Sequence, residues 1–159
     1  AVVTTRRGTP ESQDPRINSL SKHNCITACI EADRIGVDEG IMLDVNGNVS
    51  TCNSTNFFII KNGEVWTSTG EFCLPGVTRK AVIDLCEENN IPIFQKDFRI
   101  MDVHSAHEAF VTGTFAGIIP AVEIDGQPMS CGKRGDLTYR LQKLYSDKVI
   151  QMYPKKIQK

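Results

Sequence analysis

The sequence predicts a mixed α+β domain on three observations. Apolar residues recur at helical spacing in three or four separate stretches. Between them lie short β-branched runs and the pairs Asn46-Gly47, Asn62-Gly63 and Asp125-Gly126, residues that tight hairpin turns need. The chain has 159 residues, which suits one domain with its own core and leaves no room for two of ordinary size.

Element by element, Ala1–Thr5 is short, β-branched and apolar and reads as a strand, followed by a polar, Pro-punctuated loop from Arg6 to Pro15. Ser19 or Ser21 then caps a helix whose apolar face includes Leu20, Ile26, Cys29 and Ile30, with Gly36 as its stop. Glu39–Asp44 and Asn48–Thr51 form strands around Asn46-Gly47, and Asn56–Lys61 pairs with Glu64–Ser68 around Asn62-Gly63. Pro75-Gly76 opens a helix over Thr78–Asn89 with Ala81, Val82, Leu85 and Cys86 on one side. Ile91–Phe94 is a strand, Met101–Ala109 a short helix, and Phe110–Gly113 and Ile118–Ile124 are strands. Asp136 caps a last amphipathic helix carrying Leu137, Leu141, Leu144 and Tyr145. Residues 1–153 form the domain, and 154–159 a polar tail.

Composition narrows the function classes. Eighteen Lys and Arg against nineteen Asp and Glu leave a net charge of −1, which argues against a phosphate-tracking nucleic-acid binder or a polybasic membrane protein. The longest mostly apolar stretch, Phe115–Val122, contains Gly117 and Pro120 and is too short to span a bilayer. With no leader pattern at its start, the chain reads as soluble and cytoplasmic. Its six cysteines show no C-x-x-C spacing and read as buried, reduced thiols. His104 and His107 share a helical face but have no further metal ligand nearby.

Three segments could carry chemistry. At Leu74-Pro75-Gly76-Val77-Thr78-Arg79 a glycine turn enters a helix with a hydroxyl at its start. Free N–H groups, the positive dipole end and the Thr78 hydroxyl make a phosphate seat there. Thr112-Gly113-Thr114 flanks a glycine with two hydroxyls, allowing close backbone approach to a ligand. Lys22, in a first helical turn, has Cys25, Ile26 and Cys29 at i+3, i+4 and i+7. An amine on an apolar face beside a positive dipole end is disfavoured as an ammonium, as a Schiff-base lysine requires.

Together these segments resemble the class IV aminotransferases, the pyridoxal-phosphate-dependent family of branched-chain and D-amino-acid aminotransferases and aminodeoxychorismate lyase. The resemblance rests on Asn56-Phe57-Phe58, Val65-Trp66-Thr67, Leu74-Pro75-Gly76-Val77-Thr78-Arg79 and Val111-Thr112-Gly113-Thr114. It extends to Asp14-Pro15-Arg16-Ile17, which looks like the segment before the family's catalytic lysine, and to Cys131-Gly132-Lys133 through Leu141-Gln142. It implies the fold of the family's large C-terminal domain, with the small N-terminal domain absent. It also implies pyridoxal 5'-phosphate with its phosphate on Val77, Thr78, Gly113 and Thr114, an amino acid and a 2-oxo acid as substrates, and a homodimer.

The chain departs from the family pattern at three positions. Counted back from Glu31-Ala32, the family's lysine falls on Asn18, and asparagine cannot form a Schiff base. Five residues before Asn56, where the family has a carboxylate for the pyridine nitrogen, stands Thr51. Its hydroxyl can hydrogen-bond that nitrogen but cannot hold it protonated as a carboxylate would. His23 stands where branched-chain members carry a tyrosine near the cofactor. Two readings follow: Lys22 replaces the missing lysine in a transaminase of small, branched-chain-like amino acids, or the chain is an inactive aminotransferase-like domain with a binding or assembly role.

Overall fold

The computed structural model describes residues 1–153, so the tail expected at 154–159 lies outside the described residues. In chain order the elements are α1 (His23–Arg34), β1 (Ile41–Leu43), β2 (Val49–Cys52), β3 (Asn56–Lys61), β4 (Glu64–Thr67), α2 (Val77–Glu88), β5 (Ile93–Gln95), α3 (Ile100–His104), β6 (Glu108–Gly113), β7 (Gly117–Ala121), β8 (Glu123–Ile124), β9 (Gln127–Pro128) and α4 (Asp136–Met152). A 3-10 turn at Ser130–Gly132 precedes α4.

Five strands make the main sheet in the order β5-β4-β3-β6-β7. The β3–β4 hairpin turns on Asn62 and Gly63, whose φ angles of 54° and 79° match the primed turn that the Asn-Gly pair predicts. Only β5 lies parallel to its neighbour, β4, because α2 carries the chain back between them.

Alternation along the strands gives the sheet two apolar faces. Phe58, Ile60, Val65 and Phe110 pack under Val82 and Cys86 of α2 and Leu141 of α4. Phe58 and Phe110 are cross-strand partners, their rings stacked at 4.8 Å with 9° between planes. Phe57, Ile59 and Ala109 on the opposite face pack with Val49 of the β1–β2 hairpin, Phe98 and Val103 of α3. Burying each large side chain stabilises the fold by roughly 1.5–3 kcal/mol, so the sheet is a rigid platform for the loops at its edge.

Several expected boundaries move. Ala1–Thr5 makes a single parallel bridge, Val2 to Ile41, since Thr4 and Thr5 turn their N–H groups onto the Glu31 carboxylate. Neither Ser19 nor Ser21 caps α1; the cap position is Lys22, and the Ser19 hydroxyl is held by the Gln13 amide and the Ser21 N–H. The helix expected through Ala109 stops at His104 because Glu108 and Ala109 already pair with β3. Ile118–Ile124 divides into β7 and β8. Asp136 is the first residue of α4 rather than its cap, which is Gly135. The thiols also divide: Cys52, Cys73 and Cys86 are buried, Cys25 is half-buried, and Cys29 and Cys131 are exposed, all six unbridged.

Candidate active site

Two loops meet at one corner of the sheet. The N-cap of α2 is Gly76, and no side chain caps the helix. The first N–H of α2 with an intrahelical acceptor belongs to Lys80, 2.9 Å from the Gly76 carbonyl, so those of Val77, Thr78 and Arg79 are left over. Gly76 is required by close approach, because a Cβ there would collide with the Asn56 amide oxygen. The same amide donates Nδ2 to the Leu74 carbonyl at 3.0 Å. Asn56 in turn pairs with Thr112 across β3 and β6, and a Cβ on Gly113 would sit 3.4 Å from Thr55. Residues 74–78 and 112–114, two separate expectations of the sequence, therefore converge on Thr55-Asn56.

The corner fits an anion. Thr112 is 2% exposed, and its hydroxyl has no hydrogen-bond partner. It lies in phase with Phe110, on the α2 side of the sheet. An unpartnered buried hydroxyl costs about 1–3 kcal/mol, and the neighbouring dipole end with free N–H groups attracts negative charge. Thr78 is buried, whereas Val77 is 78% exposed at the mouth of the helix. Gly113 is half-buried, and Thr114 is exposed in the turn after β6.

Beside this corner, a cleft of about 380 Å³ opens between the 7–25 segment and residues 51–56, with Arg7, Asn18, Lys22, His23, Thr51 and Thr55 on its walls. Asn18 and Lys22 are brought together: the lysine Nζ donates to the Asn18 amide oxygen at 2.9 Å. The apolar face expected around Lys22 is not there. Leu20 is 99% and Ile26 54% exposed, while α1 packs through Ala28 and Ala32. Those small side chains let α1 lie close to Val3 and Met42, turning the larger ones outward. His23 is exposed at the start of α1. Thr51 is buried on the cleft lining and donates its hydroxyl to the Thr55 carbonyl at 2.7 Å.

Arg7 was not singled out by the sequence. Its Nε donates to the Phe72 carbonyl at 2.9 Å and one terminal nitrogen lies 2.6 Å from the Cys25 sulfur. Partners 65 and 18 residues away leave no local pattern to read; the only signal was an arginine in the loop before the segment resembling the family's lysine region. Two further thiols are held protonated. Burial, then the nearby Glu39, pushes Cys52 well up, and burial followed by Glu87 raises Cys86 to about 12.

Residues 1–124 match the model of the family described as amino-transferase class IV. The chain belongs to that family. Branched-chain-amino-acid aminotransferase-like protein 2 of Arabidopsis thaliana is 39% identical over 143 residues, 90% of this chain and 26% of that protein. The branched-chain aminotransferase of Thermoproteus uzoniensis, solved with norvaline, superposes with a TM-score of 0.89 at 32% identity, over 97% of this chain and 52% of that one. An aminotransferase from Brucella abortus, solved bound to PLP, gives 0.86 at 27% identity, over 92% and 52%. This class IV aminotransferase chain thus spans about a quarter of the Arabidopsis relative and half of each solved chain. The mixed α+β fold implied by the resemblance is the fold observed. Among the described residues, no helix is long and apolar enough to cross a membrane.

Proposed function

We propose that this class IV aminotransferase domain binds pyridoxal 5'-phosphate and serves amino-group transfer between a small, branched-chain-like amino acid and a 2-oxo acid. One observation carries the reading: the uncapped start of α2 and the Gly113 loop converge on Asn56, beside a cleft whose lining includes one lysine, Lys22. Val77, Thr78, Gly113 and Thr114 would hold the phosphate. When bound, pyridoxal phosphate supplies an aldehyde and an electron sink. Lys22, its Nζ held by Asn18, would be the amine to hold that group and to move the substrate's α-proton. Thr51, its own proton on the Thr55 carbonyl, would face the ring nitrogen with its lone pairs, and His23 would line the same cleft.

Homodimer assembly belongs to the same proposal, supported by apolar side chains left exposed around the cleft and the β6–β7 turn, among them Ile17, Leu20 and Phe115. The unbridged cysteines support a reducing compartment such as the cytoplasm. The test mixes protein and pyridoxal phosphate, adds borohydride and maps the adduct by mass spectrometry. An adduct on the Lys22 peptide that disappears in Lys22→Ala is expected. No adduct under any condition sinks the catalytic reading. The second reading, a non-catalytic binding domain, is favoured by Asn18 and Thr51 standing where the family pattern has a lysine and a carboxylate.

A further inference from the structure

Among the described residues two ionisable side chains of the charged types are buried, Asp44 and Arg79, and their surroundings differ. The Asp44 carboxylate accepts the N–H groups of Asn46 and Asn48, both at 2.8 Å. Charge-assisted bonds of that kind offset the loss of water. Arg79, 6% exposed, has no such compensation. One terminal nitrogen donates to the Ser68 carbonyl at 2.6 Å and to the Gln95 amide oxygen at 3.0 Å, both neutral acceptors. Its Nε–H is buried without a partner. Among the described residues no carboxylate lies in ion-pair contact with it. Burial, opposed by nearby Cys73, holds its pKa below the ordinary guanidinium value, yet the group stays a cation at any working pH.

A buried charge without a counter-ion is costly, and an anion brought close to it offsets that cost. Its place in the fold is the first turn of α2. Arg79 is the third residue of that helix, and its own N–H is one of the three left without an intrahelical acceptor. The reach of the side chain keeps the guanidinium within about 8 Å of that N–H, one Debye length at physiological salt. The 68–76 loop folds against it: a Cβ on Gly70 would lie 3.6 Å from a terminal nitrogen. A charge shut away from water is screened far less than an exposed one. The next residue supplies the contrast, since the Lys80 side chain is 75% exposed and paired with Asp84 at 2.7 Å.

We infer that Arg79 supplies the buried positive charge of the phosphate seat at α2, raising its affinity for a phosphate dianion through the field alone, with no contact to the ligand. This rests on the phosphate assignment of the proposed function and not on Lys22. The test titrates pyridoxal 5'-phosphate by calorimetry and inorganic phosphate by phosphorus NMR into the chain and its variants. Arg79→Gln should weaken both about tenfold, the scale of a partly screened pair of charges. Arg79→Lys keeps the charge but gives up the planar fork, and it should stay within about threefold of wild type. Lys80→Gln should change either affinity by less than about twofold.

Equal losses in Arg79→Gln and Arg79→Lys would make the residue a structural clamp on Ser68 and Gln95 and overturn the inference. So would unchanged phosphate affinity in Arg79→Gln, or a loss in Lys80→Gln as large as the one in Arg79→Gln. If Arg79→Gln does not fold by circular dichroism, Arg79→Met takes its place. If neither neutral variant folds, Arg79→Lys decides alone, and a loss of about tenfold there overturns the inference. Wild type that binds neither probe removes the inference and the phosphate assignment together. Phosphate binding that depends on the Arg79 charge, with no borohydride adduct on Lys22, sinks the catalytic reading and leaves Arg79 standing.

Discussion

Helices α2 and α4 begin alike and end up differently. Each follows a glycine N-cap without a side-chain cap of its own, and each packs on the same face of the sheet. At α4 the missing partner is supplied from β6: Glu108 accepts from the N–H groups of Leu137 at 3.1 Å and Thr138 at 2.8 Å and from the Thr138 hydroxyl at 2.7 Å. Gly135 is kept bare there, since a Cβ would run into that carboxylate. At α2 the equivalent approach is filled by the neutral Asn56 amide, and no carboxylate caps the helix. The chain neutralises one positive helix end internally and leaves the other without an anion of its own.

The largest break in this contrast should come from Glu108→Ala. Losing three bonds to a half-buried carboxylate costs about 3 kcal/mol, or about 6–12 °C in Tm, at roughly 1 kcal/mol for each charged bond. A melt within 2 °C of wild type would show that α4 needs no internal anion. Next, Thr78→Ala and Thr114→Ala should each weaken pyridoxal phosphate binding about tenfold, or about 1.4 kcal/mol. Unchanged affinity in both would remove the phosphate from this corner.

Thr112→Val sharpens the contrast with an opposite sign. Replacing the unpartnered hydroxyl by a methyl should raise the Tm of the cofactor-free chain by about 2–4 °C, near 1 kcal/mol. The same change should weaken pyridoxal phosphate binding. A fall in Tm would mean that the hydroxyl is already satisfied.

The smallest effect belongs to α3, which caps itself. Asp102 accepts the Arg99 N–H at 3.0 Å. That bond, opposed by partial burial and aided by Lys61, holds its pKa below the ordinary carboxylate value. Its stabilisation is therefore complete above the unfolded value of about 3.9 and is lost as pH falls through the folded one. Asp102→Asn should lower Tm by about 1–2 °C at pH 7, for roughly 0.5 kcal/mol. The difference from wild type should close as pH falls through the folded value. A pH-independent difference would assign Asp102 a purely steric role.

Much of this was legible locally. The Asn62-Gly63 hairpin, the Pro75-Gly76 entry into α2 and the final amphipathic helix follow from turn chemistry and periodicity, which act over a few residues. The joint pattern of Asn56, Thr78 and Thr112-Gly113 carried the family. What could not be read depends on distant partners. The cap of α4 comes from Glu108, some thirty residues away, and Arg7 is fixed by Phe72. The orientation of α1 reversed expectation because Ala28 and Ala32, weak signals of burial, allow a close approach that Ile26 and Ile30 do not. Lys22 was found in the expected segment, but hydrogen-bonded to Asn18 rather than packed on apolar surface.

The division of the thiols gives this chain an internal gauge of its own unfolding. Cys25, Cys29 and Cys131 meet solvent in the folded state, while Cys52, Cys73 and Cys86 do not. Burial also keeps Cys52 and Cys86 in the unreactive protonated form. A brief pulse of alkylating reagent therefore marks up to three sulfurs on a native molecule and six on an unfolded one. Because Cys86 packs from α2 onto one face of the sheet and Cys52, the last residue of β2, packs on the other, the order in which their labels arrive distinguishes which face of the sheet opens first.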